Sequence, residues 1–147
     1  MSAPRKVFLD ANVLVYAQDT HAPEKRDTSR SIIADLAASG TGVISTQVLQ
    51  EFYVATTKKL SVPPLAAKAM LKTFSVFEIV QVSPSLIADA VDCSVLNHVS
   101  FWDALIVTAA ASAGCTAVCT EDMNAGQIVL GVTIENPFTG SKTSADA

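Results

Sequence analysis

Four acidic side chains stand where solvated acids rarely stand. Asp10 directly follows the apolar run Val7-Phe8-Leu9. Glu51 lies in a helical stretch between Val48 and Ala55, at the edge of its apolar face. Asp103 sits between Phe101-Trp102 and the run Ala104 to Val107. Asp122 follows the apolar-rich stretch from Thr116 to Thr120. Each has an ordinary explanation by itself: Asp10 as a helix N-cap, Glu51 as an exposed helix acid, Asp103 closing a capping box begun by Ser100, Asp122 as a turn residue. Taken as a set they imply chemistry. At about 5 Å apart and an effective dielectric of about 20, each pair of carboxylates costs about 3 kcal/mol. Retained protons or a bound divalent cation relieve that repulsion. An all-oxygen acidic set suits Mg²⁺ or Mn²⁺ rather than zinc. Such a cation polarises a phosphate, acidifies a bound water and steadies a leaving oxygen. Hydrolysis of a phosphodiester is therefore the expected reaction class.

The acids can meet only if the elements bring them to one edge. Apolar runs at 7–9, 43–44, 77–82, 116–120 and 132–135 predict short strands. Helical spacing predicts helices over 11–18, 24–38, 46–59, 64–74, 84–96 and 101–113. Strands alternate with helices throughout, which predicts an α/β architecture: a mostly parallel sheet covered on both faces by helices, a three-layer sandwich. Ligands in such sheets sit beyond the carboxyl ends of the strands. Asp10 and Asp122 lie at those ends, and the loop before Asp103 returns to the same edge. Glu51 is about six residues into the helix that leaves the 43–44 strand, ~9 Å from its start at ~1.5 Å per residue.

The chain has 147 residues, half of them hydrophobic and 16% charged, with a mean hydropathy of +0.38. That suits one domain with a full core and excludes a disordered chain. One domain is expected over 1–138, with a small, polar, frayed tail over 139–147. The net charge is -4, which taken alone argues against coating nucleic acid by bulk charge. The charge is uneven, however. Residues 1–72 carry nine Lys/Arg and six Asp/Glu, whereas residues 73–147 carry one Lys and eight acids. Setting the four acids aside leaves ten acids against ten Lys/Arg, so acidity confined to one pocket does not exclude a nucleic-acid substrate. Cys93, Cys115 and Cys119 form an odd set without zinc-site spacing, expected as buried thiols. His21 and His98 are too scattered for imidazole catalysis. A nucleophile elbow and a Gly-rich phosphate loop are both missing from the sequence. No apolar run reaches ~18 residues, and Asp10 interrupts the start too early for a signal-peptide core. A cytoplasmic protein without a membrane span is expected.

The stretches Phe8 to Tyr16 (FLDANVLVY), Ser45 to Phe52, Phe101 to Ile106 (FWDALI), Thr120 to Gly126 (TEDMNAG) and Ile134 to Phe138 (IENPF) resemble the PIN-domain ribonucleases, most closely their VapC-type toxins. The resemblance spans residues 6–138. It implies a PIN-like fold and a divalent-metal-dependent endoribonuclease that leaves a 5′-phosphate and a 3′-hydroxyl. It further implies the toxin role in a toxin–antitoxin pair, with a cognate antitoxin partner and a homodimer. By the family pattern Asp10, Glu51, Asp103 and Asp122 are the acidic site. Asp10, Asp103 and Asp122 would hold Mg²⁺ or Mn²⁺, and Glu51 would orient or deprotonate the attacking water. Asn12 matches a position that supports the first Asp. Glu121 is a competing acid beside Asp122, and the pattern favours Asp122. Thr120 is expected to orient that loop through its hydroxyl.

RNA must also be held. Lys25, Arg26 and Arg30, with Lys58 and Lys59, are the expected phosphate contacts. Tyr16, Phe52 and Trp102 are aromatic enough to stack bases, but core packing is the expected role of Phe52 and Trp102. Two other functions are weighed against this one. An aspartyl-phosphate-forming phosphatase would want an acid where Asn12 stands. A non-catalytic PIN-like interaction module would be free to lose the acids that this chain keeps.

Overall fold

The computed structural model describes residues 5–139. Its strands are β1 (Val7–Leu9), β2 (Gly42–Ser45), β3 (Glu78–Val80), β4 (Ala117–Cys119), β5 (Ile128–Val129) and β6 (Val132–Glu135). They form one sheet in the order β3-β2-β1-β4-β6-β5, parallel except for β5 against β6. Every residue of β1, β2 and β4 is buried, as strands covered on both faces must be. The edge strand β3 exposes Glu78, whose carboxylate takes Lys6 Nζ at 2.9 Å. A charge on an edge strand discourages pairing with another chain.

The helices are α1 (Ala11–Tyr16), α2 (Pro23–Ser39), α3 (Thr46–Lys59), α4 (Pro64–Thr73), α5 (Pro84–Asn97) and α6 (Phe101–Ser112). From β1 the chain steps outward to β2 and then β3 through α1–α4, and returns through α5 and α6 to β4 on the other side of β1. Right-handed crossovers put these two helix groups on opposite faces. Their packing agrees, since α1 meets α2 and α3, α3 meets α4, and α5 meets α6. The strand order therefore reverses between β1 and β4. In open α/β sheets that crevice is where ligands bind.

The sequence signals for the helix ends are used. Ser45, Ser83 and Ser100 cap α3, α5 and α6, accepting from the amides of Val48, Leu86 and Asp103. Gly40 ends α2 in the left-handed conformation. Phe52 is fully buried and meets Phe74 edge-on, centroids 4.9 Å apart. Gly42 opens β2 under the ring of Phe77: an added Cβ would lie 2.5 Å from Phe77 Cδ1 and 3.1 Å from Leu36 Cβ. Gly42→Ala should cost roughly 1–3 kcal/mol through overpacking. Chemical denaturation with an unchanged m-value would measure it, and a cost near zero would show that Phe77 swings away.

One element departs from expectation. Residues 121–127 form the expected polar loop, but β5 follows it and pairs with β6 through Leu130 and Gly131, both at positive φ. That two-residue turn needs left-handed conformations. Leu130 is a poor turn residue, so the hairpin carries no turn signal in the sequence. The three cysteines are free and buried, as expected. No single described helix is long and apolar enough to cross a membrane. The pair α5 and α6 passes on length and composition but is folded back at 114°. The expected frayed tail lies, beyond Thr139, outside the described residues.

Candidate active site

The switch-point crevice is built by the ends of β1 and β4. Asp10 N–H donates to Cys119 O at 3.0 Å, so the two strand ends are tied directly. Asp10 Oδ1 accepts from Ala11 N–H at 2.7 Å and caps α1. Its other oxygen, Oδ2, accepts from the Thr120 hydroxyl at 2.8 Å. Thr120 Oγ1 in turn accepts from Asp122 N–H at 3.1 Å. Asn12, on the first turn of α1, points Nδ2 at Thr120 Oγ1 (3.2 Å), Asp122 Oδ2 (3.1 Å) and, at longer range, Asp10 Oδ2 (3.4 Å). Its Oδ1 accepts from Glu121 N–H at 3.3 Å. Asn12 and Thr120 thus lash the loop after β4 onto the start of α1, the support expected of both. The N-cap explanation of Asp10 also holds. One oxygen caps the helix while the other faces Thr120.

Asp10 is 8% exposed. Burial raises its pKa, opposed by the hydrogen bonds from Thr120 and Ala11, while the charges of Asp122 and Asp103 raise it further. Glu51 is an exposed residue of α3 whose carboxyl is partly withdrawn from water. That desolvation, with the charges of Asp10, Asp122 and Asp103, pushes it up to about 6. The charges of Asp103 and Asp122 thus act on both Asp10 and Glu51. Asp103 occupies the first turn of α6, its N–H donating to Ser100 Oγ at 3.1 Å. A cavity of about 360 Å³ opens beside them, lined by Asn12, Tyr16, Glu51, Lys59, Glu121 and Asp122 among others. A cavity of about 420 Å³ between α5 and α6 includes none of the four.

The neighbouring Glu121 is engaged differently. Its carboxylate accepts from the Tyr16 hydroxyl at 2.7 Å and pairs with Lys25 Nζ at 2.6 Å. Lys25 also lies 4.8 Å from the centroid of the Tyr16 ring, which packs edge-on against Phe138. Lys25 is thus beside the site. Arg30 Nε donates to Ala17 O at 2.8 Å and Arg26 Nε to Asp27 at 3.1 Å, so both spend a donor inside α2 and its approach. Lys59 lines the acidic cavity, and Lys58 lines an adjoining hollow with it. The tie between Lys25 and Glu121 has no counterpart in local sequence. Trp102 corrects an expectation: it is 64% exposed rather than packed in the core, because burial along α6 begins at Ala104, one turn in from the edge of the sheet.

Among the described residues no three His, Cys, Asp or Glu side chains form a ready-made metal cage. The donor chemistry nevertheless fits a hard divalent cation. The donors are all carboxylates, and two of them, Asp10 and Glu51, are held above their ordinary pKa first by burial and then by the charges of the others. Mg²⁺ commonly keeps several waters and takes one or two protein carboxylates directly.

Burial of Glu51, with the neighbouring charges, sets a pH dependence. A carboxyl whose pKa rises on folding binds its proton more tightly in the folded state. Its contribution to stability is present below its unfolded value and is lost as pH rises through its folded value. For Glu51 the window runs from the ordinary glutamate range near 4.5 to about 6. In EDTA, Glu51→Gln should melt above the wild type at pH 7, and the difference should shrink toward pH 5. Mg²⁺ or Mn²⁺ should raise the wild-type Tm more at pH 7 than at pH 5. Thermal melts on both proteins measure this. Coincident curves at pH 7 would mean that neither burial nor neighbouring charge disfavours the Glu51 carboxylate.

In sequence, residues 7–128 match the PIN domain family. A search of curated proteins finds no match. In fold, the chain is similar to a toxin–antitoxin complex from Klebsiella pneumoniae, with a TM-score of 0.68 and 15% identity over 90% of this chain and 98% of that one. It is similar to VapC20 of Mycobacterium tuberculosis, a sarcin-ricin loop cleaving toxin (0.62; 18%; 80% and 92%). VapBC2 from Rickettsia felis, bound to a DNA fragment from their promoter, is a further neighbour (0.65; 20%; 88% and 97%). At these identities the likeness is one of fold.

Proposed function

The chain belongs to the PIN-domain family, and from that premise we propose that it is a divalent-metal-dependent endoribonuclease, the toxin of a toxin–antitoxin pair. The observation that supports this most is the linked pair Asp10 and Asp122, joined through Thr120 and Asn12 at the strand switch point with Glu51 and Asp103 in the same field.

Asp10, Asp103 and Asp122 would hold the Mg²⁺ or Mn²⁺, directly or through water. Bound there, the cation would supply Lewis-acid polarisation of the phosphate and stabilise the leaving oxygen. Glu51, with a pKa near 6, is ionised at neutral pH yet basic enough to take a proton from the attacking water. Attack at phosphorus would break the bond to O3′, which takes a proton from solvent water as it leaves while the attacking water gives its own to Glu51, and the 5′-phosphate stays on the other fragment. Asn12 and Thr120 keep Asp10 and Asp122 in fixed relation while this happens. Lys59, on the cavity wall, and Lys25, beside Glu121, would meet backbone phosphates, with Arg26 and Arg30 farther along α2.

The fold neighbours include toxin–antitoxin complexes, which supports an antitoxin that occludes the acidic crevice. A homodimer working in the cytoplasm completes this reading, with the single nuclease domain expected over 1–138. The test is incubation of the purified chain with single-stranded RNA and Mg²⁺ or Mn²⁺, with EDTA as control, followed by end-group analysis. Cleavage that leaves 5′-phosphates and stops in EDTA is expected. Full cleavage in EDTA, or none with either metal, would overturn the reading.

A further inference from the structure

We propose that Trp102 is a stacking platform for an RNA base flanking the cut phosphate, an inference that rests on the ribonuclease reading. Tryptophan is among the most buried side chains on average, yet this one is 64% exposed. Its indole is not loose, because Phe101 meets it edge-on with centroids 5.1 Å apart. Phe101 in turn packs against the core. Trp102 is thus an aromatic surface facing water, braced on one edge by Phe101 and bonded directly to Asp103 of the acidic set. Successive Cα atoms are about 3.8 Å apart and successive helical side chains diverge by about 100°, so the indole stands to one side of Asp103, where a nucleotide with its phosphate among the acids can lay its base.

The other aromatic candidates are less available. Tyr16 has its hydroxyl taken by Glu121 and its ring taken by Lys25 and Phe138. Phe52 is fully buried. Tyr53 is 37% exposed, but two residues from Glu51 on a helix it projects about 200° away from it. Single-stranded RNA is recognised by splaying bases onto aromatic side chains, which tolerate any base. A negatively charged crevice gains little affinity from the phosphates until its cation binds, so an apolar contact to a base is a suitable source of grip.

Trp102 is the single tryptophan of the chain, so its emission reports this position alone. The first arm titrates Asp10→Asn protein with a single-stranded oligoribonucleotide in Mg²⁺, at fixed protein concentration, and reads tryptophan fluorescence. Saturable quenching is expected. The second arm measures steady-state cleavage by wild type, Trp102→Ala and Trp102→Phe. For Trp102→Ala, KM should rise at least about fivefold, the lower end of what one base stack is worth, with kcat within about twofold. Trp102→Phe should recover much of the loss. Cleavage by wild type with no quenching and an unchanged KM in Trp102→Ala would overturn the platform and leave the nuclease reading intact. If the wild type neither binds nor cuts RNA, both fall. Emission that responds to protein dilution rather than to RNA would place the indole at a subunit contact and overturn the proposal.

Discussion

Asp10→Asn should lower RNA cleavage by about 10³-fold while the protein folds as stably as the wild type or more so. The two halves of this expectation have separate causes. Three orders of magnitude correspond to about 4 kcal/mol of transition-state stabilisation, a reasonable loss when the most buried carboxylate of the proposed cation site becomes neutral. Stability should not follow. Asparagine caps helices as well as aspartate does, so its side-chain oxygen can still accept from Ala11 N–H. Thr120 Oγ1 already accepts from Asp122 N–H at 3.1 Å and faces Asn12 Nδ2 at 3.2 Å, so the new amide takes a place there by displacing Asn12, which offsets part of the gain. The variant also removes a buried charge that burial and the charges of Asp122 and Asp103 disfavour. A site whose residues are costly to the folded state but needed for function should show this opposed movement. Cleavage assays alongside thermal melts in EDTA measure both halves. Wild-type cleavage by the variant would remove Asp10 from the reaction.

The same tension between burial and charge marks the candidate site in the sequence. Asp10 and Asp122 each follow an apolar run too short to be anything but a buried strand, and carboxylates there are out of place unless something meets them. The strand–helix alternation fixed which edge they share. Thr120 followed from the same logic, as a hydroxyl on the last residue before the turn. What stayed hidden was pairing across long separations. Lys25 and Glu121 are 96 residues apart, and nothing local in α2 marks Lys25 as the basic residue that reaches the site while Arg30 turns back to Ala17. Trp102 was hidden for a different reason. The stretch 101–113 is apolar nearly all round, so its periodicity gives no face, and only the position of α6 relative to the sheet edge decides that its first turn is wet. The β5–β6 hairpin was hidden because its turn is Leu130-Gly131 rather than a turn-forming pair.

Thr120→Val is the second large effect expected, and it tests the support of the acids rather than the acids themselves. Thr120 is fully buried, and valine matches its shape. The change removes the donor to Asp10 Oδ2 at 2.8 Å and the acceptor for Asp122 N–H at 3.1 Å. An unsatisfied buried polar group costs about 1–3 kcal/mol, more when charged. The variant should therefore lose roughly 2–3 kcal/mol of stability at neutral pH in EDTA. Loss of the Thr120 bond also removes one of the two contacts that lower the Asp10 pKa, so Asp10 should hold its proton to higher pH and bind cation more weakly. Outer partners of metal ligands typically contribute 10- to 100-fold to affinity or activity. Cleavage by Thr120→Val should fall by about that factor and recover in part at high Mn²⁺. Thr120→Ser keeps the hydroxyl and should stay within a few-fold of wild type at ordinary Mn²⁺. That ordering separates the hydrogen bond from simple packing, because serine leaves a methyl-sized void where valine leaves none. If serine proved the worse of the two, packing rather than the hydroxyl would be what holds the Asp122 loop against Asp10.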